Sequence, residues 1–451
     1  MSMSLHPRSH NQDTALGPKS RAEFERSKAV TPGGSMRAAT YFAPHPPYAA
    51  HGSGSWITDV DGRRLFDCAN NFFSLIHGHA FPPVVAALHD AIDRGTAFGL
   101  PLSGESDLGE ELRRRAPRLE QVRFVNSGTE AVMFAVKAAR AITGRPAIAK
   151  IEGAYHGAYD HVEISLDSTP DNWGNGRPAS VPYAKGTPPA VAADTLVLRF
   201  NEPQQCREIL QEHAHRLAAV LLDPLASRAG MVPASAAFCE VLQESCRKHG
   251  ILLIMDEVIS FRLAHGGAHD AFGLEPDLVA LAKIIGGGLP IGAVAGLARH
   301  MAVFDHTKGK PAVSHGGTFS ANPLSMAAGV AAMRAYDAEA VSRLNRMGED
   351  LRQAANAAFG QRGLPAQMTG FGSLFRLHPS TAAITDYRSC FQTAAQKTAI
   401  AAVQFGLLER GYLLTPNCSG ALSTPMTDAD IRDLTAAIVE TVSETTSVSP
   451  W

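Results

Sequence analysis

Three short stretches hold residue types that can do chemistry together. "NSGTE" places Ser127, Gly128 and Thr129 between an apolar run, "QVRFV", and a helical pattern. "ILLIMD" ends one of the most apolar runs of the chain on Asp256, and "DLVALAK" ends another on Lys283, ahead of Gly286, Gly287 and Gly288. Small polar residues at a helix N-terminus offer N–H groups and hydroxyls to an anion, phosphate being the natural guest. A carboxylate closing an apolar strand is costly unless it meets a positive partner. A lysine in that setting can lose its proton and act as nucleophile or base. Taken singly, each has an ordinary reading: an N-cap at Ser127 or Thr129, a turn-capping aspartate, a snorkelling surface lysine.

The elements that must position them read as an α/β fold. Beside "QVRFV" (121–125), the runs "AIAKI" (147–151), "TLVLRF" (195–200), "AAVLLD" (218–223), "ILLIMDEV" (251–258), "DLVALAK" (277–283) and "IGAVAGL" (291–297) are strand candidates. They show little polar alternation and are separated by helical stretches, which predicts a mostly parallel seven-stranded sheet flanked by helices. In such a sheet, ligands collect at the carboxyl ends of the strands. "TEAVMFAVKAARAITG" reads as a helix closed by Gly144, and Asp61-Gly62 as the turn of a hairpin. The chain divides into a disordered tail (1–20), an N-terminal segment (21–75), a large domain (76–325) and a helix-rich C-terminal part (326–451). The N- and C-terminal parts together are expected to form a smaller α+β domain.

Composition narrows the function classes. The 451 residues carry 41 basic and 43 acidic side chains, a net charge of −2 that offers no field for a polyanion, so nucleic acid is not an expected partner. No window approaches a membrane span, and "MSMSLHPRSHNQDTALGPKS" lacks the apolar core of a signal peptide. The six cysteines form no CxxC pair, as expected of unpaired thiols in a reducing, cytoplasmic setting.

Considered together, a phosphate cradle, a carboxylate and an amine on one sheet edge meet the needs of pyridoxal 5′-phosphate: donors for the phosphate, an anion for the pyridine nitrogen, a lysine for the aldehyde. Competing phosphate motifs fail, since there is no GxxxxGK[ST] and "GGGLPIG" does not open a helix. The stretches "FVNSGTEAVMFAVKAARAITGR", "IEGAYHG", "LLIMDEVISFR", "PDLVALAKIIGGGLPIGAVAG" and "HGGTFSANPLSMAAG" resemble the class III, fold-type I aminotransferases. The similar branch contains glutamate-1-semialdehyde 2,1-aminomutase and the β-amino-acid transaminases. "DEV" followed 27 residues later by the lysine before "IIGGG" is the most specific part of that resemblance.

The resemblance implies a role for each matching residue. Lys283 forms a Schiff base with the cofactor, Asp256 faces its pyridine nitrogen, Val258 packs beneath the ring, and Tyr155 stacks on the other face. Ser127, Gly128 and Thr129 hold the phosphate. Thr318 reaches the cofactor of a neighbouring subunit, which implies a homodimer with active sites at the interface. Arg37 sits where relatives bind a substrate carboxylate, with a guanidinium suited to bidentate pairing. The expected reaction moves an amino group between a small-molecule amino donor and a keto acceptor.

Departures from the aminomutase pattern bear on the donor. Phe72 and Phe73 stand in "NNFFSLIHGHAFP" where aminomutases carry a tryptophan segment, Asp223-Pro224 replaces Glu-Pro, and "DEVISFR" is one residue short. Asn417 stands where some β-amino-acid transaminases place an arginine. Tyr41-Phe42 and Phe72-Phe73 line a side pocket or belong to the core. His77 and His79 have metal-like spacing without a completing ligand, and His156 is read as fixing its loop. The expectation is a transaminase of β- or unusual amino acids, with 2,1-aminomutase-like intramolecular transfer as the alternative. A cofactor-binding regulator is the third class, and it lacks both a basic surface and, in the roughly 30 residues ahead of the fold, room for a DNA-binding unit.

Overall fold

The computed structural model describes residues 16–448. Its centre is a seven-stranded sheet made of β4 (Gln121–Val125), β5 (Ala147–Ile151), β6 (Thr195–Leu198), β7 (Leu217–Leu222), β8 (Leu252–Asp256), β9 (Leu278–Ala282) and β10 (Gly292–Gly296). The spatial order is β4-β10-β9-β8-β7-β5-β6. All seven expected strands are present. β10 alone runs antiparallel to its neighbours β4 and β9, so the C-terminal ends of the other six share one edge. β5, β7, β9 and β10 are buried at every position because helices cover both faces, which is why their sequences show no alternation.

A smaller α+β part joins the two ends of the chain. β1 (Ala49–Ser53), β2 (Trp56–Asp59) and β3 (Arg64–Asp67) form an antiparallel meander, and β13 (Tyr412–Leu413) adds in parallel to β3. A second sheet holds β11 (Gln367–Thr369), β12 (Leu374–His378) and β14 (Ser419–Ala421). The hairpin turn falls at Gly62, φ 90°, as the Asp61-Gly62 pair requires.

Residues 16–20, inside the tail expected over residues 1–20, are folded against the rest of the chain. Helix α1 spans Pro18–Lys28, with Leu16 and Ser20 buried. Asp61, in the hairpin turn, accepts the N–H groups of Lys19 and Ser20 (2.8 and 2.9 Å) and the Ser20 hydroxyl (2.6 Å). The helix lacks a side-chain cap of its own and takes one from residue 61, a partner that local sequence does not reveal. Residues 1–15 lie outside the described residues.

Candidate active site

Helix α2 (Gly128–Thr143) follows β4 directly. Ser127 Oγ accepts the N–H of Glu130 (3.2 Å), and Gly144 closes the far end at φ 66° by donating to Arg140 O. The N–H groups of Gly128 and Thr129 belong to the first turn and have no intrahelical acceptor, so they and the helix dipole face the sheet edge. Gly128 is tightly enclosed: a Cβ there would lie 3.1 Å from both methyls of Val258.

Asp256 ends β8 with its carboxylate fixed on both oxygens. His156 donates Nδ1–H to Oδ2 at 2.7 Å, and the Val258 N–H donates to Oδ1 at 3.0 Å. His156 is buried, and burial lowers its proton affinity, so the neutral ring that donates through Nδ1 is favoured. Because β7 and β8 run in parallel with Leu222 beside Met255, Asp223 comes next to Asp256 on the same edge. Burial, reinforced by the negative charge of Asp256, pushes the Asp223 carboxyl up to about 8.

Lys283 follows β9 in the left-handed region, φ 55°, an uncommon backbone state for a lysine. Burial pushes its amine down to about 8 against the attraction of Asp256 and Asp223, and the Arg262 cation lowers it further. Of the glycines that follow, Gly288 reaches this cavity. Gly287 serves instead to let the turn press against the helix Pro323–Ala335, since a Cβ there would lie 2.6 Å from Ala328 O.

These groups share one cavity of about 400 Å³. Lys283, Asp256, Ser127, Gly128, Thr129, Tyr155, Val258 and Arg37 all line it. Thr318 does not: it is exposed and stands outside this chain's cavity. Asn417 is also absent from the lining and accepts instead from Thr415 Oγ1 at 2.6 Å. Among the four aromatics of the side-pocket expectation, only Phe72 lines the cavity. Phe73 packs into an apolar cluster with Leu225 and Leu374, Phe42 packs with Leu65 and Leu408, and Tyr41 stacks on Phe24. His77 is held by Thr424 Oγ1 and Ala332 O, and His79 pairs with Asp67 at 2.8 Å, so each ring already has a structural partner.

Sequence reasoning gave no site role to Asp223, Asn71 or Arg262. Asp223 had a readable signal, since "AAVLLD" ends an apolar strand on a carboxylate just as "ILLIMD" does. Asn71 and Phe72 lie in a run of four consecutive left-handed residues, Asn70 to Phe73, with φ of 46, 48, 54 and 70°. Such a run costs about 1–2 kcal/mol per ordinary residue, less for asparagine, and needs tertiary support. Asp67 Oδ1 accepts from Asn70 N (2.8 Å), Asn70 Nδ2 donates to Ala421 O (2.7 Å), and buried Arg262 donates to Phe73 O, Leu422 O and Ser373 Oγ.

The profile of the family "Aminotransferase class-III" matches residues 42–410. The chain belongs to that family. As a class III member it has the fold-type I architecture and is a pyridoxal-phosphate-dependent aminotransferase. It is 44% identical to an ω-transaminase from Sphaerobacter thermophilus, with a TM-score of 0.92 over 95% of this chain and 98% of that one. It is 32% identical to a β-phenylalanine aminotransferase from Variovorax paradoxus, with a TM-score of 0.87 over 97% and 96% of the two chains. A glutamate-1-semialdehyde 2,1-aminomutase of Methanothermobacter thermautotrophicus is 38% identical over 402 residues, 88% of this chain and 92% of its own.

The class III cavity fits its cofactor by the chemistry of its donors. First-turn N–H groups and two hydroxyls suit a phosphate, a doubly held carboxylate suits a protonated ring nitrogen, and an amine near 8 suits an aldehyde. Among the described residues, no helix of this aminotransferase is long and apolar enough to cross a membrane.

Proposed function

We propose that Lys283 is the amine that bonds the cofactor, and that the enzyme transfers an amino group from a β- or otherwise unusual amino acid to a keto acid. The observation that carries this is the meeting of Lys283, Asp256 and the N-terminus of α2 in one cavity. When bound, pyridoxal phosphate would supply an electron sink for the carbon that loses its proton. Lys283, with its amine near 8, has a useful free-base fraction at neutral pH and would move a proton from the substrate carbon to the carbon that was the cofactor's aldehyde, the shift that amino transfer requires. Asp256, oriented by His156, holds a proton on the ring nitrogen. Ser127, Gly128 and Thr129 anchor the phosphate, while Val258 and Tyr155 form the walls beside the ring. Thr318 completes the site of a second copy, making the homodimer the active form. Its exposure in the single chain supports that reading.

Arg37 binds the donor carboxylate. Its place on the cavity lining supports an amino-acid donor, and the likeness to ω- and β-phenylalanine transaminases supports an amine removed from the carboxylate by more than one carbon. The likeness to 2,1-aminomutases supports a second reading, intramolecular transfer on glutamate 1-semialdehyde. A panel of α-, β- and ω-amino donors with and without a keto acceptor separates them. Release of a keto product that requires the acceptor is the expected result; turnover of glutamate 1-semialdehyde without one would establish the second reading.

A further inference from the structure

The left-handed run Asn70–Phe73 lies at the cavity wall and is built from residues that the chemistry above does not use. Its middle members both touch Arg37. Asn71 Oδ1 accepts from Arg37 Nη1 at 2.6 Å, and the guanidinium carbon sits 5.4 Å from the centre of the Phe72 ring. Arg37 itself belongs to an exposed segment, and its guanidinium has no other hydrogen-bond partner among the described residues. Without these two neighbours, a long side chain on such a segment would sample many rotamers.

We propose that Asn71 and Phe72 are positioning residues that fix Arg37 as a preorganised receptor for the donor's carboxylate, resting on the reading of Arg37 given above. The Asn71 amide has a defined orientation. Its Nδ2 donates to Ser74 Oγ at 3.1 Å, and Ser74 Oγ donates to Asn71 O at 2.9 Å, which leaves Oδ1 for the arginine. One guanidinium donor is thereby occupied and one face is covered by an aromatic ring, a geometry in which cation and π-system attract. The rest of the donor fork stays available for a planar, bidentate acceptor, and a carboxylate is the chemical class that fits. The left-handed backbone is what places consecutive side chains 71 and 72 on the same guanidinium. It is held from beneath by Asn70 on Ala421 O and by Arg262 on Phe73 O. Within the smaller part of the molecule, β14 thus supports the receptor that the N-terminal segment presents to the cavity.

The test compares wild type, Arg37→Gln, Asn71→Gly and Phe72→Leu as holoenzymes. Glycine at 71 accepts positive φ freely, so the turn survives while the amide is lost. Two constants are read for each protein: KM for the best donor of the panel, and the dissociation constant of 3-phenylpropanoate, a carboxylate without an amine, by calorimetry. Arg37→Gln should raise both by about 30-fold or more, and Asn71→Gly by about tenfold with kcat falling less than about threefold. Phe72→Leu should raise both by about threefold to fivefold. If Arg37→Gln leaves both within twofold, the carboxylate-receptor reading falls and the inference with it. If Arg37→Gln raises both while Asn71→Gly leaves them within twofold, the inference alone is overturned. A fall in kcat of Asn71→Gly without a change in 3-phenylpropanoate binding would make the turn a structural element only, and also overturns it.

Discussion

His156 Nδ1 and Asp256 Oδ2 lie 2.7 Å apart, both buried, at the carboxyl end of the sheet's β8 strand. A neutral imidazole that donates to a carboxylate fixes its direction without cancelling its charge, and that charge is what the role proposed for Asp256, opposite a protonated ring nitrogen, requires. His156→Ala removes one of the two donors on Asp256 and opens a void beside it. Loss of a hydrogen bond to a charged group, worth about 1.5–3 kcal/mol, should lower kcat by roughly tenfold to a hundredfold. Steady-state kinetics and the cofactor dissociation constant check this. A change under twofold in both would mean that Asp256 is oriented without the histidine.

Asp223 and Lys283 give opposite pH signatures to the cofactor-free protein. The Asp223 carboxyl is raised from 3.8 to about 8, so the folded state keeps a proton that the unfolded chain releases. Its stabilising contribution is full below 3.8 and is lost as pH rises through about 8. The Lys283 amine is lowered from 10.5 to about 8, so here the folded state releases the proton first and stability recovers between about 8 and 10.5. Asp223→Asn should therefore flatten the decline in melting temperature between mildly acidic and mildly alkaline buffer. An unchanged slope would show that Asp223 ionises normally.

Gly287→Ala tests the meaning of the glycine cluster. The new Cβ would meet a backbone carbonyl, Ala328 O, at 2.6 Å, and residue 287 has φ 59°. Backbone cannot yield as a side chain can, so a destabilisation of about 2–4 kcal/mol is expected in urea unfolding. Gly144→Ala is the control, because nothing lies within 4 Å of its Cβ and only the positive-φ cost remains, about 1 kcal/mol. Equal effects at the two positions would remove the packing explanation.

The central sheet and most of the site were legible because they rest on local signals. Each of the seven strands is an apolar run, and Asp256 and Lys283 stand out because charge closes such a run. The features that escaped depend on distant partners. Asp61 caps a helix through Lys19 and Ser20, 42 and 41 residues away in sequence, which is why residues 18–20 are helical inside the expected tail. Left-handed φ at Asn70 to Phe73 is not written in those four residues; it is imposed by Ala421, Asp67 and Arg262. Phe72 and Phe73 have the same side chain, yet one lines the cavity and the other enters the core. Periodicity cannot decide that inside a left-handed turn.

The central claim is that Lys283 holds the cofactor. Borohydride reduction of the holoenzyme, followed by proteolysis and mass spectrometry, locates the bond directly. The account predicts one phosphopyridoxyl-lysine, in the peptide containing "LAKIIGGGLPIG" at position 283, and none in Lys283→Ala treated in the same way. The modification found on any other lysine, buried Lys150 included, would contradict it.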